Sequence, residues 1–517
     1  MLKEYAHESS LHGLQYIFNE RCSLIDRFMW LVVFLMSLFC ALALCSSMVV
    51  RYINGPTVTQ VKDTHYPLYL FPFPGVSVCP TDKIKRHVAF SYIYEKLNLT
   101  TGKVNNDSID QFLSAMTMMQ HPMYSRMSEF LANCQDLLPH LSKLNLTDFM
   151  LKVMPTCDEV FSACAWHGMT ENCCDIFHIQ RSEEGFCYSF NSFTSHRLSN
   201  CPQLTYDEQV SFKDVEAEVD TECVLRRNSA AGTTTGIEVF LRHFDTSQLL
   251  INWSTITGES GVKVQLHTSD EYPEAGMGVL VPAKPGMKMT TTIKAYLTES
   301  LPAIRGLPLG ERNCYFPDET ELEVAVQYSQ RSCLIECRLH YFHQICGCRP
   351  YYFNMLDNRI PICNATQLLC IANHGSNLKF YRPPNNTNMR GFAATETVSP
   401  LNCSRCLPTC HESYYDDDTD LTTDTQQRAL ENYGYLDLYY KYGGAVYYQR
   451  DVTFGWIDLL VGIGGTAGLF LGISLLSVVE LLFWSVKLIL TGFVKKKIPA
   501  VPTSLPKGLV YNKDFLY

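Results

Sequence analysis

The sequence predicts an α+β protein in which two membrane helices flank a large, disulfide-rich mixed α/β exterior domain. Three observations lead there. Two apolar segments stand towards opposite ends, one uncharged from Phe28 to Val50 and one centred on the uncharged window Leu459–Val479. A bilayer crossing takes about 20 apolar residues, so each segment can span once. Seven Asn-x-Ser/Thr sequons lie between them, at Asn98, Asn106, Asn145, Asn252, Asn364, Asn385 and Asn402. Sequons are glycosylated only on the lumenal or outer side. Finally, 19 of the 22 cysteines lie between Cys79 and Cys410, and none follows the second segment. An oxidising exterior and a reducing cytosol produce that partition.

These observations divide the chain into a cytoplasmic N-terminus (1–27), a first span (28–50), an exterior domain (51–451), a second span (452–494) and a cytoplasmic tail (495–517). Lys495, Lys496 and Lys497 follow the second span and place the tail inside. Arg21 and Arg27 before the first span match Arg51 and Lys62 after it, so the sequons decide its direction. A cleaved signal peptide has an apolar core of only about 7–15 residues behind a basic lead. Here the run is longer and its lead also carries Glu4, Glu8, Glu20 and Asp26, which favours a retained helix. The net charge of −10 argues against a nucleic-acid partner.

Within the exterior, the prolines of Phe71–Pro80 bar a helix, and Val76-Ser77-Val78 alternates as a short strand. Apolar recurrence at three and four predicts helices over Ile84–Leu97, Ile109–Met119, Met127–Leu138 and Phe149–Cys164, within a helical region 83–225. Cys134, Cys157 and Cys164 are placed to staple them. Alternation by two predicts strands at Gly236–Leu241, Val262–Leu266 and Met289–Ala295, within a β-rich region 230–300.

Ten cysteines crowd residues 314–410: Cys314, Cys333, Cys337, Cys346, Cys348, Cys363, Cys370, Cys403, Cys406 and Cys410. Zinc is the competing reading, with His340 and His343 as further ligands. The interleaved sequons Asn364 and Asn402 put the region outside the cell, which favours disulfides. An odd total of 19 means that at least one thiol is free, paired between subunits or part of an uncommon arrangement, and the adjacent Cys173-Cys174 is the expected place for the irregularity.

The second span carries the chemistry. Val452–Val494 would be ~64 Å as one helix, about twice the hydrocarbon thickness. Asp458 and Glu480 would stand ~33 Å apart, near opposite interfaces. Each acid alone fits the headgroup zone. Repeated around an axis, the two would form acidic rings at the mouths of a cation pore. Between them Gly464, Gly468 and Gly472 form a small-xxx-small ridge that lets helices approach closely. Each glycine also costs about 1 kcal/mol of helix propensity, so the stretch unwinds readily. Unwound backbone at membrane depth survives only where buried in protein or lining water, where its oxygens can replace a cation's hydration shell.

Residues Gly464-Gly465-x-x-Gly468-Leu469-Phe470-x-Gly472-x-Ser474-x-Leu476-Ser477-Val478-Val479-Glu480 resemble the pore signature of the epithelial sodium channel/degenerin family. His12-Gly13 is similar to its cytoplasmic gating motif, and Phe73-Pro74-Gly75-Val76-Ser77-Val78-Cys79 to its motif after the first span. Gly261–Val264 with His267 and Pro273 resembles a palm strand, and Cys403-x2-Cys406-Leu407-Pro408-x-Cys410 with Tyr414 a late cysteine motif. The chain is most like an insect pickpocket-type subunit.

The resemblance implies a homo- or heterotrimer with a finger, palm, β-ball, knuckle and thumb exterior. The finger would fall near 83–225, palm and knuckle near 230–300, and the thumb at 314–410. It implies a sodium-selective, voltage-independent, amiloride-blocked pore, opened by an extracellular ligand or stimulus. Gly472, Ile473 and Ser474 would form the filter, holding sodium only transiently, with Asp458, Gly465, Gly468 and Glu480 along the pore. His12 and Gly13 would affect opening. Val461 takes a place where the family generally carries a small residue, which predicts either a leak at rest or neighbouring residues that have adjusted to the larger side chain. No cofactor or structural metal is implied. The partners are sodium ions, membrane lipid and same or sister subunits. A two-span cysteine-rich receptor or adhesion protein is the alternative. No Gly-x-Ser-x-Gly elbow or His-Glu-x-x-His motif points to an enzyme.

Overall fold

The computed structural model describes residues 9–55, 57–70, 72–97, 105–196, 224–242, 250–251, 259–325, 327–353, 355, 359–383, 388, 390–393, 396, 400–423 and 433–495. It divides into two compact units, Met1–Val58 with Val452–Tyr517, and Thr59–Asp451.

In the first unit, a helix over Leu24–Asn54 starts at an N-cap, where Ser23 Oγ accepts the Asp26 N–H at 3.2 Å and Asp26 reaches back to the Ser23 N–H. Leu24–Ile53 is long and apolar enough by itself to cross a membrane. Val452–Val494 does not form the single helix expected. It forms two half-helices, Trp456–Leu471 and Leu475–Lys495, bent by 74° at the break between them. The cause is local: Gly472 adopts φ +70, a left-handed conformation that ends a helix and that L side chains rarely take. The first half-helix packs on Leu24–Asn54 where Gly462 has no side chain; a Cβ there would lie 2.9 Å from Met48 Sδ.

The second unit, Thr59–Asp451, named the exterior unit for its expected location only, is built on two sheets. Its strands are β1 (Thr57–Pro67), β2 (Gly75–Pro80), β3 (Phe161–Trp166), β4 (Met169–Glu171), β5 (Phe177–Ser182), β6 (Gly185–Phe190), β7 (Ile237–Arg242), β8 (Gly261–His267), β9 (Val279–Pro282), β10 (Met287–Ser300), β11 (Glu412–Thr423), β12 (Tyr433–Tyr440) and β13 (Gly444–Val452). The larger sheet is eight-stranded and centred on β10, which takes β11 antiparallel and both β12 and β13 parallel. β12 then pairs with β7, and β7 with β3. β10 is long enough to hold β12 along Lys288–Ile293 and β13 along Tyr296–Ser300. The smaller sheet runs β5-β6-β2-β8-β9, all antiparallel. Phe73, fully buried, meets Trp166, Phe190 and Tyr440 edge-on, which joins the core of the two sheets.

Two helical expectations need correction. Phe149–Cys164 is a helix only over Leu146–Val153 and again over Cys157–Val160, after which the chain becomes β3. Pro155 cannot continue the first helix, and Thr156 with Glu159 forms a capping box that starts the second. Met127–Leu138 is helical only to Ala132. Strands β3 to β6 therefore lie within the region read as helical.

Candidate functional site

The segment Ser10–Gly13 meets the break in the second apolar segment. The Gly472 N–H donates to the Gly468 carbonyl at 3.0 Å, and the Ile473 N–H to that of Ala467 at 3.3 Å. A helix leaves its last four carbonyls without intrahelical donors. One of these, on Leu471, is taken by the His12 N–H at 3.0 Å. The His12 ring lies against Gly472, so close that a Cβ on Gly472 would come within 2.8 Å of it. Gly13 is left-handed (φ +84) and starts the helix Leu14–Phe18, whose Tyr16 stacks on Trp30 at 4.7 Å. The segment before the first apolar helix thus folds back to the break.

Beyond the break, Ser474 and Ser477 cap the second half-helix reciprocally. The Ser474 N–H donates to Ser477 Oγ at 3.0 Å and the Ser477 N–H to Ser474 Oγ at 3.3 Å. Ser10 Oγ lies 2.7 Å from Ser477 Oγ and donates to Glu480 Oε2 at 3.2 Å. Sequence reasoning missed Ser10, because an isolated serine carries no periodic signal, and gave Ser477 only as one member of the pore signature, with no role of its own. Their nearness to His12 and to the Gly-x-Ser motif was the available hint.

Asp458 does not stand free: its Oδ2 accepts the Gly455 N–H at 2.9 Å at the start of the first half-helix. Val461 is exposed, at 67%. A Cβ on Gly465 would meet nothing within 4 Å, and one on Gly468 only the Ile473 carbonyl at 3.7 Å. The glycine face of this half-helix is therefore open at Gly465. Asp458, Val461, Gly465 and Gly468 lie on the first half-helix, whereas His12, Gly472, Ser474 and Glu480 gather around the break and the start of the second.

In the exterior unit all ten cysteines of 314–410 pair with one another: Cys314–Cys410, Cys333–Cys406, Cys337–Cys403, Cys346–Cys370 and Cys348–Cys363. Two bridges anchor one face of the helix Gln330–Cys346. His374 Nδ1 lies 3.9 Å from Cys370 Sγ, but both neighbouring thiols are consumed in the Cys346–Cys370 bridge. Cys173 and Cys174, expected to hold the irregularity, are both bonded, to Cys164 and Cys157. The Cys157–Cys174 bridge therefore joins two single-turn helices, Cys157–Val160 and Cys173–Ile176, and the Cys164–Cys173 bridge joins β3 to the second of them, rather than stapling the long helices expected. Cys79 pairs with Cys187. Among the described exterior residues the free cysteine is Cys134, buried, its thiol pushed up to about 11 by that burial. Cys201 and Cys223 lie outside the described residues.

Arg338, on the same helix, is buried and forks onto Glu183 with two contacts of 2.8 Å, with Glu274 also at 2.8 Å. Burial alone would lower its pKa, but the charges of Glu183 and Glu274 outweigh that and push it up. His267, fully buried on β8, lies with Nε2 2.9 Å from Ser77 Oγ and Nδ1 2.7 Å from the Thr268 carbonyl. Burial pulls its pKa down to about 4. Gly75 is required opposite it, since a Cβ would come within 2.4 Å of the ring.

Of the sequons, Asn106, Asn145 and Asn402 are exposed and Asn364 is half-buried; Asn98, Asn252 and Asn385 lie outside the described residues. Asn145 is also the N-cap of Leu146–Val153, its Oδ1 accepting the Thr147 N–H at 3.0 Å.

A family model described as amiloride-sensitive sodium channel matches residues 5–484. The chain is 23% identical over 492 residues to sodium channel protein Nach of Drosophila ananassae, covering 93% of this chain and 85% of that protein. It is 22% identical over 510 residues to pickpocket protein 19 of Drosophila melanogaster, covering 96% and 92%. It is 24% identical over 495 residues to acid-sensing ion channel 1C of Danio rerio, covering 93% and 82%. The chain belongs to the amiloride-sensitive sodium channel family.

Proposed function

We propose that this chain is a subunit of a trimeric, voltage-independent, amiloride-sensitive sodium channel of the plasma membrane, opened by an extracellular stimulus and sensory in role. Both half-helices cross the membrane together, both termini are cytoplasmic, and the sequons carry glycans outside. The exterior unit acts as finger, palm, β-ball, knuckle and thumb. The observation that carries the reading is the break at Gly472–Ser474, where an otherwise apolar segment turns by 74°. Backbone oxygens freed at membrane depth need water or a cation as partner, and three copies around an axis would supply a ring of them. Gly472, Ile473 and Ser474 form the filter, Asp458, Gly465, Gly468 and Glu480 line the approach, and His12 and Gly13 hold the filter turn from the cytoplasmic side.

The test is whole-cell recording from cells expressing this chain alone and with related subunits. An inward, amiloride-blocked sodium current whose selectivity changes on replacing Ser474 supports the reading. Surface protein that never conducts in any combination sinks it. Crosslinking the assembled protein checks the subunit number separately.

A further inference from the structure

The four oxygens at the break form a chain whose hydrogens can be assigned one by one. Each serine hydroxyl has one hydrogen to give and two lone pairs. A carboxylate oxygen only accepts, so the Ser10 hydrogen goes to Glu480 Oε2 at 3.2 Å. The 2.7 Å contact between Ser10 and Ser477 must then be donated by Ser477. Ser477 Oγ already receives the Ser474 N–H at 3.0 Å, and its own hydrogen is spent on Ser10. Across the remaining 3.2 Å contact, Ser474 must therefore be the donor. Its oxygen accepts the Ser477 N–H at 3.3 Å and keeps one lone pair free.

We infer that Ser10 is a positioning residue for ion selection. Through Ser477 it fixes the direction of the hydroxyl chain, so that Ser474 offers a passing cation an oxygen lone pair rather than a hydrogen. The inference rests on Gly472–Ser474 being the filter. Ser477 is buried, at 6% exposure, so its hydroxyl has little water to turn to. Without the Ser10 oxygen, the Ser477 hydrogen turns back to Ser474 Oγ. The Ser474 hydrogen is then released towards the ion path, where it repels sodium. Ser10 touches no ion itself.

Reversal potentials under sodium-in, potassium-out conditions test this. Ser10→Ala should lower the sodium-to-potassium permeability ratio by about fivefold, the factor carried by one ordinary hydrogen bond. Ser10→Thr, which keeps the hydroxyl, should restore it. Ser477→Ala should lower the ratio similarly, and the double variant no further, because both cut one chain. If Ser10→Ala fails to reach the surface, Ser477→Ala reads the same chain from its other member. Unchanged ratios in both, with normal wild-type sodium current, would overturn this inference alone. A wild-type channel without sodium current would overturn the conduction reading and this inference with it.

Discussion

The backbone N–H of His12 donates to the carbonyl of Leu471 at 3.0 Å, fastening one end of the chain to the other at the point where the second apolar segment breaks. The bond uses main-chain atoms, so it constrains backbone geometry whatever the His12 side chain does. What the side chain adds is bulk: the imidazole fills the space a Cβ on Gly472 would need.

Gly472→Ala therefore meets two penalties, a left-handed φ and a 2.8 Å approach to His12. The conformation alone costs about 1–2 kcal/mol for a residue with a Cβ. The expected outcome is at least a tenfold fall in amiloride-sensitive current at equal surface expression. A wild-type current would mean that the turn is dispensable.

Val461→Gly tests the leak. Val461 presents its side chain outward on the first half-helix. Replacing it should lower resting current at equal surface expression, the helical glycine itself costing only about 1 kcal/mol of stability. Resting current that does not change removes the idea.

Arg338→Met should destabilise the exterior unit by about 3–5 kcal/mol, because it strands Glu183 and Glu274 without their counter-charge. Glu183 is fully buried and has no water to replace the guanidinium. Thermal unfolding of detergent-solubilised protein measures the loss. A shift within error would show that the pair is neutral.

Acid should weaken the exterior unit through His267. Its folded pKa, about 4, lies below the ordinary 6.5. Its contribution is therefore complete above about pH 6.5, where both states are neutral. It is lost as pH falls towards 4, because the unfolded chain takes the proton first. The whole effect is about 3 kcal/mol. Melting curves between pH 7.5 and 4.5 should show the decline, and His267→Gln should flatten it.

Asn145 serves two purposes that substitution can separate. Asn145→Gln removes both sequon and N-cap and should cost about 1 kcal/mol. Thr147→Val removes only the sequon. The Thr147 hydroxyl is buried without a hydrogen-bond partner, so this change should be neutral or stabilising. Both variants should lose the same gel shift, and only the first should lose melting temperature.

Much of this was legible in the sequence because glycine and cysteine are chemically conspicuous. The Gly-x-Ser at the end of the glycine ridge coincides with the break, but Gly464, Gly465 and Gly468 stay helical, so weak propensity alone did not unwind the stretch, and the 74° bend depends on a single left-handed residue. Cysteine density marked the stapled region but not its partners, which depend on tertiary approach. The error over Phe149–Cys164 was avoidable, since Pro155-Thr156 followed by Glu159 is a helix-start signature. The alternation in Phe161-Ser162-Ala163-Cys164-Ala165-Trp166 was obscured by small residues that suit helix and strand alike. Ser10 was invisible, and Ser477 was seen only as part of the signature, because their contact lies in side-chain hydrogen bonds that no periodicity encodes.

The unpaired sulfur of Cys134 offers a clock. Burial keeps it protonated and out of reach, so an alkylating reagent at neutral pH should find it only in molecules in which the layer of short helices beside it, Asn106–Thr117 and Met127–Ala132, has opened. The rate at which that one position acquires a label would then report how often the layer comes apart in intact membranes, with no purification and no engineered probe.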